Sequence, residues 1–188
     1  GILTLFSFSS HANWYVDADL GLSRADSHSS IANNSFHESD KQDLAWSVGV
    51  GYRLNQKWAF TSRYLDLGEG GVSLNPDNRI NPAEFHANAA KATPALAEGF
   101  AFDINYEIFE KGKVSLQTVL GVFFWEVDFN SEYQGNYITS TEDGVDPYIG
   151  LGTDYRLSEQ WRIGMFMNYY FIELNDVAVL SANVSYRF

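Results

Sequence analysis

The sequence predicts an all-β protein, an eight-stranded antiparallel up-and-down transmembrane β-barrel, on three observations. Segments of about ten residues alternate apolar and polar side chains, the period of a strand with two unlike faces and the length a tilted strand needs to cross a bilayer. The apolar faces are free of charge along every segment. The connections between segments alternate long and short, as expected of a barrel with tight turns on one side of a membrane and loops on the other. The last segment, Ala178 to Phe188 (AVLSANVSYRF), shows the pattern most plainly. Ala178, Leu180, Ala182, Val184, Tyr186 and Phe188 share one face; apart from Val179, the residues between them are polar.

The same reading applies to the chain in order. Trp14 to Ser23 places Trp14, Val16, Ala18, Leu20 and Leu22 on the apolar face. After a polar stretch from Arg24 to Asp43, Leu44 to Arg53 does the same with Leu44, Trp46, Val48, Val50 and Tyr52. The Leu54 to Lys57 turn leads into a third strand from Trp58 to Leu65. Asp66 to Gly99 is a long connection whose Ala-rich part, Pro82 to Glu98, suits a short surface helix interrupted at Pro94. The fourth strand presents Phe100, Phe102, Ile104, Tyr106 and Ile108 outward, and a compact Glu110 to Lys113 turn precedes the fifth, Val114 to about Trp125. A polar loop from Glu126 to Asp146 is expected next. The sixth strand faces Ile149, Leu151, Thr153 and Tyr155 outward, and Leu157 to Gln160 turns into the seventh, Trp161 to Phe171. The short link Ile172 to Asp176 reaches the last strand.

The two faces decide between lipid and water outside. No assigned outward position is Asp, Glu, Lys or Arg, whereas nine inward positions are charged and seven are glycine. A soluble sandwich requires the reverse, with apolar residues filling the space between sheets. A charge facing the bilayer midplane costs roughly 2–4 kcal/mol, so lipid outside explains the pattern. On this reading the inner surface is too polar to form an apolar core. Trp14, Trp58 and Trp161 fall at the short-turn ends, with Tyr52, Tyr155, Tyr186 and Phe188; Trp46 and Trp125 fall at the long-loop ends, with Tyr64, Phe124 and Phe171. Two interfacial aromatic girdles are the expectation.

Composition sets further bounds. A length of 188 residues suits one domain, and the absence of cysteine removes disulfides, thiol chemistry and Cys-based zinc sites. No apolar run is long enough for a membrane-spanning helix. Residues 1–12 read as a signal-peptide remnant: Ile2 to Ser9 is apolar, and Ser10-His11-Ala12 suits cleavage before Asn13. The other reading of this stretch is a buried first strand. The barrel domain then spans residues 13–188.

An eight-stranded barrel has room for side chains but not for an open channel. Asp17, Asp19, Asp103, Glu107 and Asp154 face inward with Arg53, Arg63, Arg162 and Arg187, and Arg156 at a strand end makes five of each sign. Balanced signs predict a salt-bridge network that closes the lumen, not an ion path of one sign. The four long connections carry seventeen acids and four bases, net −13, and the remainder of the chain carries +1, which together give the overall −12. An outward surface so acidic disfavours nucleic acid and bare anionic lipid, and suits divalent cations or basic partners.

Three pieces carry a resemblance: Tyr64-Leu65-Asp66-Leu67-Gly68, the stretch Gly150 to Leu157 (GLGTDYRL), and Ser185-Tyr186-Arg187-Phe188. With these the chain, from Asn13 to Phe188, resembles the eight-stranded outer-membrane barrels typified by the OmpA transmembrane domain and the small OmpX/Ail-type proteins. The resemblance implies a bacterial outer-membrane location, contact with outer-membrane lipid and lipopolysaccharide, and a C-terminal signal, Tyr186 and Phe188, read by the assembly machinery. Nothing follows Phe188, so no peptidoglycan-binding domain of the OmpA kind is expected.

The expected function is therefore non-enzymatic: an outer-membrane barrel displaying acidic extracellular loops for surface interaction or envelope integrity. No catalytic, cofactor or metal residues are assigned. Two alternatives stay open. A lipid-modifying acyl hydrolase or transferase would use His28 and Ser30, with Asp26 or Glu38 orienting the histidine. A narrow channel for small solutes would use free volume beside the inward glycines. His37 and His86 lie in separate loops and suggest exposed loop histidines, not metal ligands.

Overall fold

A computed structural model of the chain describes residues 13–26, 36–40, 42–68, 71–74, 96–133 and 136–188. Among the described residues ten strands are formed: β1 (Trp14–Asp26), β2 (Phe36–Asp40), β3 (Gln42–Arg53), β4 (Trp58–Asp66), β5 (Gly71–Leu74), β6 (Glu98–Lys111), β7 (Val114–Tyr133), β8 (Asn136–Arg156), β9 (Trp161–Tyr170) and β10 (Asp176–Arg187). Eight of them close a barrel in the order β1-β10-β9-β8-β7-β6-β4-β3, every neighbouring pair antiparallel. Closure is made by the two chain-terminal strands, which pair from Tyr15↔Arg187 to Asp26↔Asp176 and leave the sheet without an edge. The other two, β2 and β5, pair with each other and tie the first long connection to the second.

The alternation predicted from sequence is realised in exposure. On β9 and β10, Met167 and Leu180 are 59% and 55% exposed, whereas their chain neighbours Asn168 and Ser181 are at 8% and 4%. Aromatic rings gather at the short-turn end, where Trp14 meets Tyr52 at 5.1 Å, Trp58 meets Tyr106 at 4.6 Å, and Trp161 meets Tyr186 at 4.9 Å. At the long-loop end Tyr64 lies between Trp46, at 5.9 Å, and Phe100, at 5.2 Å. Trp125 departs from the expected girdle. Its odd position turns it inward, where it is buried and its Nε1 donates to Asp146 Oδ2 at 2.8 Å.

Two other expectations are corrected. The stretch from Glu126 to Asp146 is no polar loop: β7 and β8 run on as a hairpin with pairing continuous from Val114↔Tyr155 to Tyr133↔Asn136. Alternating Val127, Phe129, Thr139 and Thr141 supply the β-forming side chains that the acidic residues between them obscured. The lumen does hold an apolar core. Leu65, Leu67, Phe123, Trp125, Tyr148, Tyr170, Val177 and Val179 are buried together at the long-loop end. The aromatic members pack directly: Tyr148 stacks on Tyr170 at 4.7 Å, and Phe123 meets Tyr170 edge-on at 5.6 Å. The surface helix expected over Pro82 to Glu98, and the signal remnant at residues 1–12, lie outside the described residues except for Leu96 to Glu98.

Candidate functional site: the barrel lumen

Inward side chains are held at fixed heights by strand register. On the lumen face Tyr15 pairs with Gly51, Gly121 with Tyr148, and Gly152 with Phe166. A Cβ on any of these glycines would lie within 2.4 Å of the partner's ring, so glycine is what lets each ring lie flat across the neighbouring strand. Large side chains thereby fit a narrow lumen.

Below the apolar core sits a layer organised by Arg63. Its Nε donates to Asp103 Oδ2 at 2.9 Å and one terminal nitrogen to Asp19 Oδ2 at 2.9 Å, while the other lies 3.5 Å from Asp17 Oδ2. The carboxylates are held in turn by neutral donors: Tyr148 and Asn105 to Asp103, and Ser47 and Asn183 to Asp19. Tyr148 belongs to both layers, since its ring stacks in the apolar core and its hydroxyl reaches Asp103 at 2.6 Å. Three carboxylates on one guanidinium leave an excess of negative charge here, which the neutral donors stabilise.

Nearer the short-turn end, Glu107 lies between Arg53 and Arg162 at 3.8 and 3.6 Å. Of the ten residues assigned to the lumen network, seven are thus brought into ion-pair range: Asp17, Asp19, Arg63 and Asp103 in one group, Arg53, Glu107 and Arg162 in another. The other three stand apart. Asp154 accepts a hydrogen bond from Gln117 and no arginine comes within 4.0 Å of it among the described residues. Arg156 pairs with Glu110 in a half-exposed position at the strand ends. Glu110 escaped the sequence reading because a bulge at Ile108 shifts the register between Glu107 and Phe109. Arg187 is exposed at the mouth, with no carboxylate in range among the described residues. The neutral partners Ser47, Asn105, Tyr148 and Asn183 share the inward parity of the charges, the signal that could have found them.

The residues considered for lipid chemistry are not brought into a described site. His28 and Ser30 lie outside the described residues, as does His86, while Asp26 ends β1 and His37 and Glu38 lie in β2. Among the described residues no three metal-ligating side chains come together.

A closed ring of eight antiparallel strands with an apolar outside, aromatic rings at both ends and charged and apolar side chains inside is the form of a small membrane barrel. Residues 3–188 match the family model for the outer membrane protein beta-barrel domain. The chain belongs to that family. This barrel is a protein of the bacterial outer membrane, in contact with its lipid. Among solved structures, Neisserial surface protein A (NspA) superposes with a TM-score of 0.60 at 14% identity, covering 94% of this chain and 98% of NspA. Ail, the attachment invasion locus protein of Yersinia pestis, gives 0.53 at 14% identity over 94% of this chain and 99% of Ail. Ail has also been solved in complex with the heparin analogue sucrose octasulfate. The N-terminal barrel domain of Pseudomonas aeruginosa OprF gives 0.53 at 12% identity over 94% and 98% of the two chains. At such identities these likenesses establish a shared fold. No curated protein matches the chain significantly.

Proposed function

We propose that this barrel is a non-enzymatic outer-membrane protein that displays acidic loops for surface interaction or envelope integrity, with its lumen closed to solutes. The observation that carries the closed lumen is the succession of two filled layers, the Arg63 cluster and the Tyr148–Tyr170–Phe123 core above it. In this reading the short turns and both described ends of the chain face the periplasm. The outer aromatic face of the last strand, Tyr186 with Phe188, serves the assembly machinery, and lipopolysaccharide meets the outer belt.

The acidic hairpin of β7 and β8 bears on the kind of partner. Residues 126–146 hold six acids and no base, so a polyanion such as the heparin analogue bound by Ail is disfavoured and a basic protein surface or divalent cations are favoured. The experiment is reconstitution in a planar bilayer combined with a binding assay on cells expressing the protein. The wild-type barrel should show no conductance steps, and polylysine should bind where heparin does not, with binding weakened by salt. Sustained conductance contradicts the closed lumen; equal retention of heparin contradicts the role of the acidic loops.

A further inference from the structure

The β6–β7 hairpin carries two lysines onto the lipid-facing side of the barrel at its short-turn end. Up to Ile108 the even residues of β6 point to lipid, so an unbroken alternation would send Lys111 inward with Glu107. The bulge at Ile108 reverses the parity. Beyond it Phe109 pairs with Leu116, Glu110 with Ser115 and Lys111 with Val114. Leu116 and Val114 are exposed on the apolar face and Ser115 is buried, so Phe109 and Lys111 face lipid while Glu110 takes the inward side. The same row runs on from Val114 to Tyr155 of β8. From the turn, Lys113 places its Nζ 5.9 Å from the centre of the outward-facing Tyr155 ring.

Two lysines thus bracket Val114 and Tyr155 at the edge of the apolar face. Neither has a carboxylate in ion-pair range among the described residues, and Glu110 beside them is taken by Arg156. The turn between them is open, since nothing lies within 4 Å of where a Cβ on Gly112 would stand. Their position decides the class of partner. Lys111 is set back from the turn tip, level with Val114 and next in its row to Phe109, where a lysine lays its stem on apolar surface and lifts its charge to headgroup level. Two ammonium groups supply donors and no acceptor, which suits a phosphodiester with no cation of its own. The opposite edge of the same face ends on acids, Asp66 paired with Glu98 and Glu98 with Glu126, so the preference belongs to one leaflet.

We propose that Lys111 and Lys113, with Tyr155, form a site for the headgroup phosphate of an anionic phospholipid in the leaflet that meets the short turns. Naming that leaflet the periplasmic one rests on the orientation given under the proposed function.

The test uses the full chain in phosphatidylcholine vesicles. The chain has no cysteine, so a fluorophore is placed at Leu116→Cys, beside the site, or at Val16→Cys on β1, the strand opposite β7 in the ring. Phosphatidylglycerol with brominated acyl chains is the quencher, and phosphatidylcholine with the same chains is the comparison. At Leu116 half-maximal quenching is expected at a mole fraction at least twofold lower for the phosphatidylglycerol, and at Val16 the two lipids should quench alike. The preference should vanish in Lys111→Gln/Lys113→Gln, whose folding the heat-dependent gel mobility checks, and at high salt without any substitution. Equal quenching by the two lipids at Leu116 overturns the site. An equal preference at Val16, or one that survives loss of both lysines, overturns it in favour of a diffuse attraction. The leaflet is checked separately on intact cells with Glu159→Cys, in the neighbouring short turn, and a bulky maleimide that cannot cross the outer membrane. No labelling is expected; labelling overturns the periplasmic assignment and leaves the headgroup result to be judged by quenching alone.

Discussion

Arg63 is the residue on which the lumen depends most. Removing it strands three carboxylates that are nearly inaccessible to water, with side-chain exposures of 8%, 10% and 0% for Asp17, Asp19 and Asp103. Breaking a buried charge cluster from one side costs roughly 3–5 kcal/mol, so Arg63→Ala should lower the urea midpoint of the folded barrel in vesicles with little change in the slope. An unchanged midpoint would mean that the carboxylates are hydrated and the layer is no seal. Phe188 offers a second test at this scale. It is 61% exposed, and its ring contact with Tyr186, at 5.4 Å, lies on the outside of the barrel, so Phe188→Ala removes little packing. Its predicted effect is slower insertion in cells with unchanged stability once folded, measured by pulse-labelled membrane fractionation beside refolding of the purified variant. The charges themselves were legible from period-two parity, but their pairing was not. Which of Arg53, Arg63, Arg162 and Arg187 meets which carboxylate depends on strand stagger around the ring, and the bulge at Ile108 that brings Glu110 to Arg156 has no signal in the alternation.

Among the elements, the barrel strands were legible to within a few residues where one face meets lipid, because every second position must then be apolar. Beyond the bilayer that constraint ends, and there the reading failed. β7 and β8 continue as a hairpin through Glu126, Asp128, Glu142 and Asp143, where cross-strand pairing persists although both faces need no longer differ in polarity. Trp125 was misplaced for a related reason: its position along the strand suggested the belt, but its parity sends it inward to Asp146. The buried Phe123, Tyr148 and Tyr170 were not read as a core, because the charges and glycines on the inward face outweighed them, and Gly121 opposite Tyr148 shows how such bulk is accommodated. Because, among the described residues, the outer half of the hairpin pairs only with itself beyond Glu98↔Glu126 and Tyr148↔Tyr170, replacing residues 130–139 by a short turn should leave a barrel with native heat-dependent mobility. Loss of that mobility would show that the hairpin supports the barrel. Neutralising Glu126, Asp128, Glu132, Glu142 and Asp143 to amides in the intact hairpin should weaken polylysine binding several-fold and flatten its salt dependence.

For the whole molecule, closure and lipid exposure are one physical fact. A sheet whose outer face is apolar from Leu20 and Val48 round to Met167 and Leu180 can be stable in a bilayer only if it has no free edge, and β1 with β10 removes the last one. The inside is then free to be polar, layered from an apolar core through the Arg63 cluster to a cavity at the short-turn end. The chain has no cysteine, so single cysteines introduced from Ala178 to Phe188 give unique nitroxide labels. Accessibility of these labels to lipid-soluble oxygen and to a water-soluble nickel chelate, in vesicles, tests the arrangement most directly. The account predicts a period of two, with oxygen contact highest at Leu180, Ala182 and Val184 and low at Ser181, Asn183 and Ser185. A flat profile, or the opposite parity, would contradict it.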